Sequence, residues 1–337
     1  MHKQKYKEGI IMNDVVSGTT EVYSEETRRQ PVGKTPKKFG NKQGRQTLFL
    51  FCMLALPLLQ WIVFWFYVNV QSIVLAFQDP QGAFTFANFA SFFDELTVTT
   101  GKTIGVAVKN TMIYFSVGVL IQLPGALFIA YFLYKKILFF RVYRVLFYLP
   151  AIISGVVMVA AYRSIVDPNG PLEALMQLMG KRMPPEGYLA RPESATLMIV
   201  LYVIWTGFGG NMLLFGGAMS RVPLDLLESA RLEGCGPFRE LVQIILPLIW
   251  PTISTMLIFT FTGIVNSSGP ILLFTNGDFE TTTINFWIFL KVYGQQGNGA
   301  GGDYGVVSAT GLCFTLVTVP LILFVRRLLE KVPTVEY

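Results

Sequence analysis

Residues 228–247 read Glu228-Ser-Ala-Arg-Leu-Glu-Gly234-Cys-Gly-Pro-Phe-Arg-Glu-Leu-Val-Gln-Ile244-Ile-Leu-Pro247. The charged part of this stretch lies between two segments, 194–220 and 241–277, that contain no Asp, Glu, Lys or Arg. A span of the bilayer core as a helix takes about 20 apolar residues. A charged stretch between two segments of that length therefore reads as a loop between membrane helices.

Working outward, four more stretches are equally free of charge: 46–78, 110–134, 145–162 and 304–325. The whole chain is 52% hydrophobic and 14% charged, with a mean hydropathy of +0.50. Soluble domains carry about 25% charged residues, so this is the composition of a membrane protein. The expected fold is all-α and integral to the membrane, with six transmembrane helices.

Lys and Arg set the orientation. The tail up to Arg45 holds ten of the 27, the 135–144 loop four, the 221–240 loop three and the C-terminal end three. The alternate loops share the rest, so both termini and the Glu228 loop are expected in the cytoplasm. The net charge of +6 then reports topology and is no sign of nucleic acid. Three regions follow: a basic, disordered tail over 1–45, a six-span domain over 46–330 and a short tail over 331–337. The first apolar run is too long for the h-region of a cleavable signal.

Chemistry on this chain finds few tools. Cys52, Cys235 and Cys313 are isolated, and the single histidine, His2, sits in the tail. No disulfide, metal or histidine-based catalysis is expected. The interiors of the spans hold no charge, whereas proton relays use buried ionisable groups; sodium coupling can use neutral oxygens and stays open. Lys109 and Arg163 fall at segment edges and read as snorkelling side chains. With no G-x-x-x-x-G-K-[ST] phosphate loop, the energy for any transport comes from another polypeptide.

The loop itself reads as a short amphipathic helix. Pro223 suits a first turn, Asp225 and Glu228 sit where the helix dipole favours negative charge, and Leu224, Leu227 and Leu232 are apolar. Gly234 and Gly236 permit a stop with positive φ. Such a helix can lie in a groove of a partner, or can be an ordinary interfacial helix.

The spacing E-x-A-x3-G-x9-I-x-L-P, from Glu228 through Ala230, Gly234 and Ile244 to Pro247, resembles the EAA loop of ABC-importer permeases. Only Ser229 departs, standing where that family usually has Ala. The resemblance covers roughly 105–330 and narrows to maltose-type carbohydrate permeases, the first permease of a heterodimeric pair. Its further marks are Phe140–Ser154, Asp167-Pro-Asn-Gly-Pro-Leu172, Leu273–Gly277 with Thr281-Thr-Thr283, and Tyr304-Gly-x-x-Ser-Ala309. Asp278-Phe279 replaces the family's Gly-Pro in the third of these, leaving the shape of that outer loop open.

The resemblance implies a type I ABC importer permease fold in the cell membrane, with a coupling helix between helices 4 and 5. It implies a second homologous permease, a cytoplasmic ATPase dimer that binds ATP and Mg²⁺, and an extracellular or periplasmic sugar-binding protein. No cofactor belongs to this chain, and it is not an enzyme. Asp225, Glu228, Ser229, Ala230, Arg231 and Gly234 would make the ATPase contact. The family's sugar-lining positions fall at Gly207, Gly210, Thr260, Ile264 and Ser267, with Thr206 adjacent, and the amides Asn211 and Asn266 join them. Small and hydroxyl residues also pack membrane helices together, and that reading stays open beside the sugar site. The loops 167–193 and 278–303, the latter with a flexible glycine tip at 294–302, are candidate contacts for the binding protein. Trp61, Phe64 and Trp65 read as interfacial or lipid-facing.

The rivals are a permease for a non-sugar solute, an integral-membrane enzyme and a scaffold. An enzyme needs converging Asp, Glu or His, which the spans do not offer, and the polar Thr260–Ser268 cluster disfavours a scaffold.

Overall fold

The computed structural model describes residues 40–294 and 303–332. Most of the basic tail, the 295–302 part of the glycine tip and the last five residues lie outside the described residues. The chain divides into two compact units, Met1–Trp61 and Ile62–Tyr337. In the first, the described part is the helix α1 (Gly40–Trp61), whose apolar side chains from Leu48 onward are mostly exposed. That is the surface expected of a helix whose solvent is lipid.

The second unit opens with a π-helical turn at Ile62–Tyr67 and α2 (Val68–Ala76), then a short α3 (Ala87–Leu96). Next come α4 (Ile104–Tyr134), α5 (Phe140–Ile152), α6 (Gly155–Val166) and α7 (Pro171–Leu178). After α8 (Pro192–Met219) lie α9 (Leu224–Leu232), α10 (Pro237–Leu248) and α11 (Trp250–Thr262). The unit closes with α12 (Ile284–Tyr293) and α13 (Tyr304–Leu329).

Four stretches are long and apolar enough to cross a membrane: Gly44–Ala76, α4, α8 and α13. Two of the expected spans are bent. The third breaks where Ile153 and Ser154 take extended backbone, and its halves meet at 112°. The fifth breaks at Ile249, with a 74° bend between α10 and α11. Pro251 follows that break; lacking an N–H, it cannot continue the hydrogen-bond ladder of α10. Counting each bent pair as one span gives six.

Helix α4 runs through all three buried clusters. Its start (Ile104, Ala107) packs with Phe92, Trp287 and Val306; Tyr114 packs with Ile199, Ile271 and Phe274. Its end, from Leu123 to Leu133, packs with Met212, Leu227 and Ile253. Every buried layer of the unit therefore touches this one helix.

The segment 263–283 departs from the expectation of a span followed by an open loop. After Gly263 it forms a 3₁₀ turn at Ile264–Asn266 and a single helical turn at Ile271–Phe274, and is otherwise irregular up to α12. Irregular backbone at membrane depth needs partners for its polar groups, and side chains supply them. Asn110 Nδ2 donates to the carbonyls of Glu280 (2.6 Å) and Thr282 (2.8 Å), and Thr111 Oγ1 accepts from the Ile284 amide (3.0 Å). Arg163, exposed at its segment edge, also donates to the Leu273 carbonyl (3.1 Å) and so serves this segment. Lys102 donates to the Asn276 carbonyl (2.9 Å) and pairs with Asp278 at 3.0 Å. Asp278, where the resembled family has Gly, thus holds the outer loop through a charge. Beyond it, α12 buries Ile284 and Trp287, so most of 278–294 is packed structure.

Candidate functional site

The loop between α8 and α11 is helical where the sequence predicts it. Pro223 stands at the N-cap of α9, with ψ of 130°, one position ahead of the expected first turn. Ser229 Oγ donates to the Asp225 carbonyl at 2.8 Å, so the hydroxyl is satisfied within the helix. The helix ends at Gly234, whose φ of +78° is the left-handed conformation that glycine adopts without steric cost. Around it the Cys235 amide donates to the Ala230 carbonyl and the Gly234 amide to the Arg231 carbonyl, which is the Schellman arrangement. Gly236 has φ of −73°, so the expected second positive-φ glycine is corrected: one suffices for the stop.

Only one face of α9 is used by this chain. Leu227 and Ala230 are buried, while Leu224, Asp225, Glu228 and Ser229 are exposed and Leu232 is 91% exposed. The outward face thus carries two carboxylates between two leucines.

The loop is tied to the rest of the chain by a buried charge. Glu240, on α10, is 2% exposed. Lys135, just past the end of α4, contacts both carboxylate oxygens and donates to Oε2 at 2.6 Å. Arg231 on α9 approaches the same oxygen at 3.7 Å. Tyr131 Oη, one turn back along α4, donates to the Pro237 carbonyl at 2.7 Å. Two cations around one buried carboxylate, with a hydroxyl beside them, join α9, α10 and α4.

The polar cluster near mid-span is more dispersed than the sequence reading has it. Thr206, Thr260 and Ser267 each bond back to a carbonyl four residues earlier, at 3.0, 2.9 and 3.2 Å, and Asn211 does so loosely at 3.4 Å. Gly207 and Thr260 meet the same π-helical turn of α4, Gly118–Gln122. Gln122 lies so close over Gly207 that no Cβ would fit, and donates to the Val203 carbonyl at 2.6 Å. Gly118 stands where a Cβ would be 3.7 Å from the Thr260 methyl. Gly210 faces open space. Ile264 is 5% exposed and packs in the protein interior. Asn266 is exposed and Ser267 half-buried, beyond the Gly263 break; among the described residues no hydrogen bond joins them to Thr206–Asn211.

Comparison with known proteins gives these features a family. The sequence profile of the binding-protein-dependent transport system inner membrane component matches residues 122–332. This chain belongs to that family. The permease is 30% identical over 215 residues to the probable ABC transporter permease protein YesP of Bacillus subtilis, covering 59% of this chain and 68% of that protein. It is 27% identical over 185 residues to the maltose/maltodextrin transport system permease protein MalF of Escherichia coli K12, covering 52% of this chain but only 36% of MalF. Its fold matches a chain from the crystal structure of a bacterial ABC transporter involved in the import of the acidic polysaccharide alginate. The TM-score there is 0.71 at 22% identity, over 87% of this chain and 99% of that one. The type I ABC importer permease fold stands, and the relatives are transport subunits, not enzymes.

Within the permease, the sequence reading missed Gln122, Asn110 and the Lys135–Glu240 pair. The signal was present. Gln122 and Asn110 are the two amides of the 110–134 segment, and Lys135 and Glu240 are opposite charges directly bordering two apolar segments.

Proposed function

We propose that this permease is one of two membrane subunits of an ATP-driven importer of sugars or oligosaccharides. A second homologous permease completes the pathway, and a cytoplasmic ATPase dimer, holding ATP and Mg²⁺, engages α9. A binding protein outside the membrane delivers the solute, with the loop 167–193 and the segment from Asp278 as its contacts. Both termini and the Glu228 loop face the cytoplasm.

The observation that carries the coupling role is the free face of α9. Asp225, Glu228, Ser229 and Leu232 are exposed on a helix that a Schellman stop ends and Leu227 anchors; Ala230 is buried, and Arg231 is exposed with its guanidinium 3.7 Å from Glu240. A rigid helix with an unoccupied amphipathic face suits a groove in a partner. The sugar reading rests on the similarity to MalF, on the polar side chains of Thr206, Asn211, Thr260, Asn266 and Ser267, and on Gly207 and Gly210, which add no side chain to α8. Sugars require hydrogen-bonding groups along an otherwise apolar route, and irregular backbone as at 263–283 occurs beside cavities. Ligand and ATP would bias one two-state element, with no chemistry in this chain.

The test is the Glu228→Lys variant in the assembled complex. Charge reversal on the exposed face is expected to abolish ligand-stimulated ATP turnover while the permease stays in the membrane. Unchanged stimulated turnover would remove Glu228 from the coupling contact. Purifying the wild-type complex from its native membrane is expected to bring down a second permease, an ATPase and a binding protein that takes up a sugar; recovery of the chain alone would overturn the importer reading.

A further inference from the structure

We infer that the groove between the end of α4, the start of α5 and the end of α8 holds the headgroup of an anionic phospholipid. The groove has a volume of 410 Å³. Its floor is buried and apolar, from Ala130, Leu133 and Met212, and Gly216 and Gly217 add no side chain to its wall. Lys136 and Arg144 converge on it with Tyr134, Tyr148 and Ser220, and no carboxylate lines it.

The two cations are what single this groove out. Lys135 spends its charge on Glu240, but Lys136 and Arg144 make no ion pair with any described residue. Arg144 only lies over the Phe140 ring, at 5.8 Å. Two like charges aimed at one space without a counter-charge repel each other, and an anion between them reverses the sign of that interaction.

The occupant is a lipid because the polarity is graded along the helices. Lys136, Arg144 and Ser220 sit at helix ends, whereas Met212, Leu213 and Tyr148 lie further along α8 and α5. Leu213 is exposed, and so are Val145, Leu149 and Ile152, which follow Arg144 along α5. Cations at one end and exposed hydrocarbon beside and beyond them fit a phosphate headgroup with its acyl chains. Basic pockets between membrane helices bind anionic headgroups in this way, and tyrosines favour the same interfacial depth.

The experiment titrates phosphatidylglycerol against the purified full chain in phosphatidylcholine-containing micelles, following bound lipid by native mass spectrometry. Wild type is expected to bind phosphatidylglycerol selectively. The Lys136→Gln/Arg144→Gln variant should lose on the order of thirty-fold in that affinity, and Lys136→Arg/Arg144→Lys should keep most of it. Equal binding by wild type and the Gln variant would overturn the site. So would displacement of the lipid by inorganic phosphate, which would assign the groove to a free phosphate solute. A Gln variant that binds lipid normally but no longer co-purifies its ATPase would assign the groove to that protein instead. Should the Gln variant fail to fold, the charge-keeping variant and wild type, compared at rising salt, decide the matter: affinity that does not fall with salt refutes a headgroup site.

Discussion

Gly234 and Gly207 are required for different physical reasons. Gly234 holds a backbone conformation, φ of +78°, that ends α9 and turns the chain towards α10. A β-branched side chain there is strained wherever it points. Gly234→Val is expected to cost about 2 kcal/mol, seen as a lowered unfolding temperature of the purified permease, with weaker co-purification of the ATPase. Gly207 has ordinary backbone; its lack of a side chain leaves room for Gln122 to reach the Val203 carbonyl. In Gly207→Ala the amide is displaced and that hydrogen bond is lost, a cost of about 1 kcal/mol. Pairing it with Gln122→Ala should recover part of the loss in thermal unfolding, because the displaced group is then absent. Independent, additive effects of the two changes would show that Gln122 and Gly207 do not act on each other.

Among the elements, α9 is held less by its own residues than by what clamps it. Nine residues make a helix too short to persist alone in water. Leu227 in the core and Arg231 beside Glu240 fix it. Glu240 is the costly member, since a carboxylate out of water is tolerated only when paired. Glu240→Leu leaves Lys135 facing an apolar wall, and a loss of about 3 kcal/mol is expected. Lys135→Met together with Glu240→Leu removes both charges and should return stability to within about 1 kcal/mol of wild type. Denaturation of the purified single and double variants checks this; a double variant as unstable as the single one would mean the ion pair is not the clamp. Transport by the double variant then reports whether an apolar joint between α4 and α10 passes on the movement of α9 as the charged one does.

For the whole molecule, the Lys and Arg distribution predicts which loops share a side of the membrane, and labelling reads it directly. In a chain whose Cys52, Cys235 and Cys313 are replaced by Ser, cysteine at Ser229 should react with an impermeant thiol reagent only from the cytoplasmic side. Cysteine at Glu186, in the loop 167–193, should react only from outside. Both labelled from one side would overturn the arrangement, and with it the placement of the ATPase and binding-protein contacts.

Six apolar segments, their order, the helix at Leu224–Leu232 and its glycine stop were all readable from the chain, because each depends on residues near one another in sequence. Hydrophobic length decides a span, and a glycine at the end of an amphipathic run permits a stop. The bends at Ile153 and Ile249 were less visible, since proline in an apolar segment marks where a helix is weak without saying which way it turns. What only the tertiary structure decided concerns polar groups inside the spans. Asn110 meets the carbonyls of Glu280 and Thr282, Gln122 crosses to α8, Glu240 meets Lys135, and Ile264 turns inward. These pairs join residues far apart in sequence, and the need for a partner is written in the buried polar group, but which residue supplies it is fixed only when the helices pack.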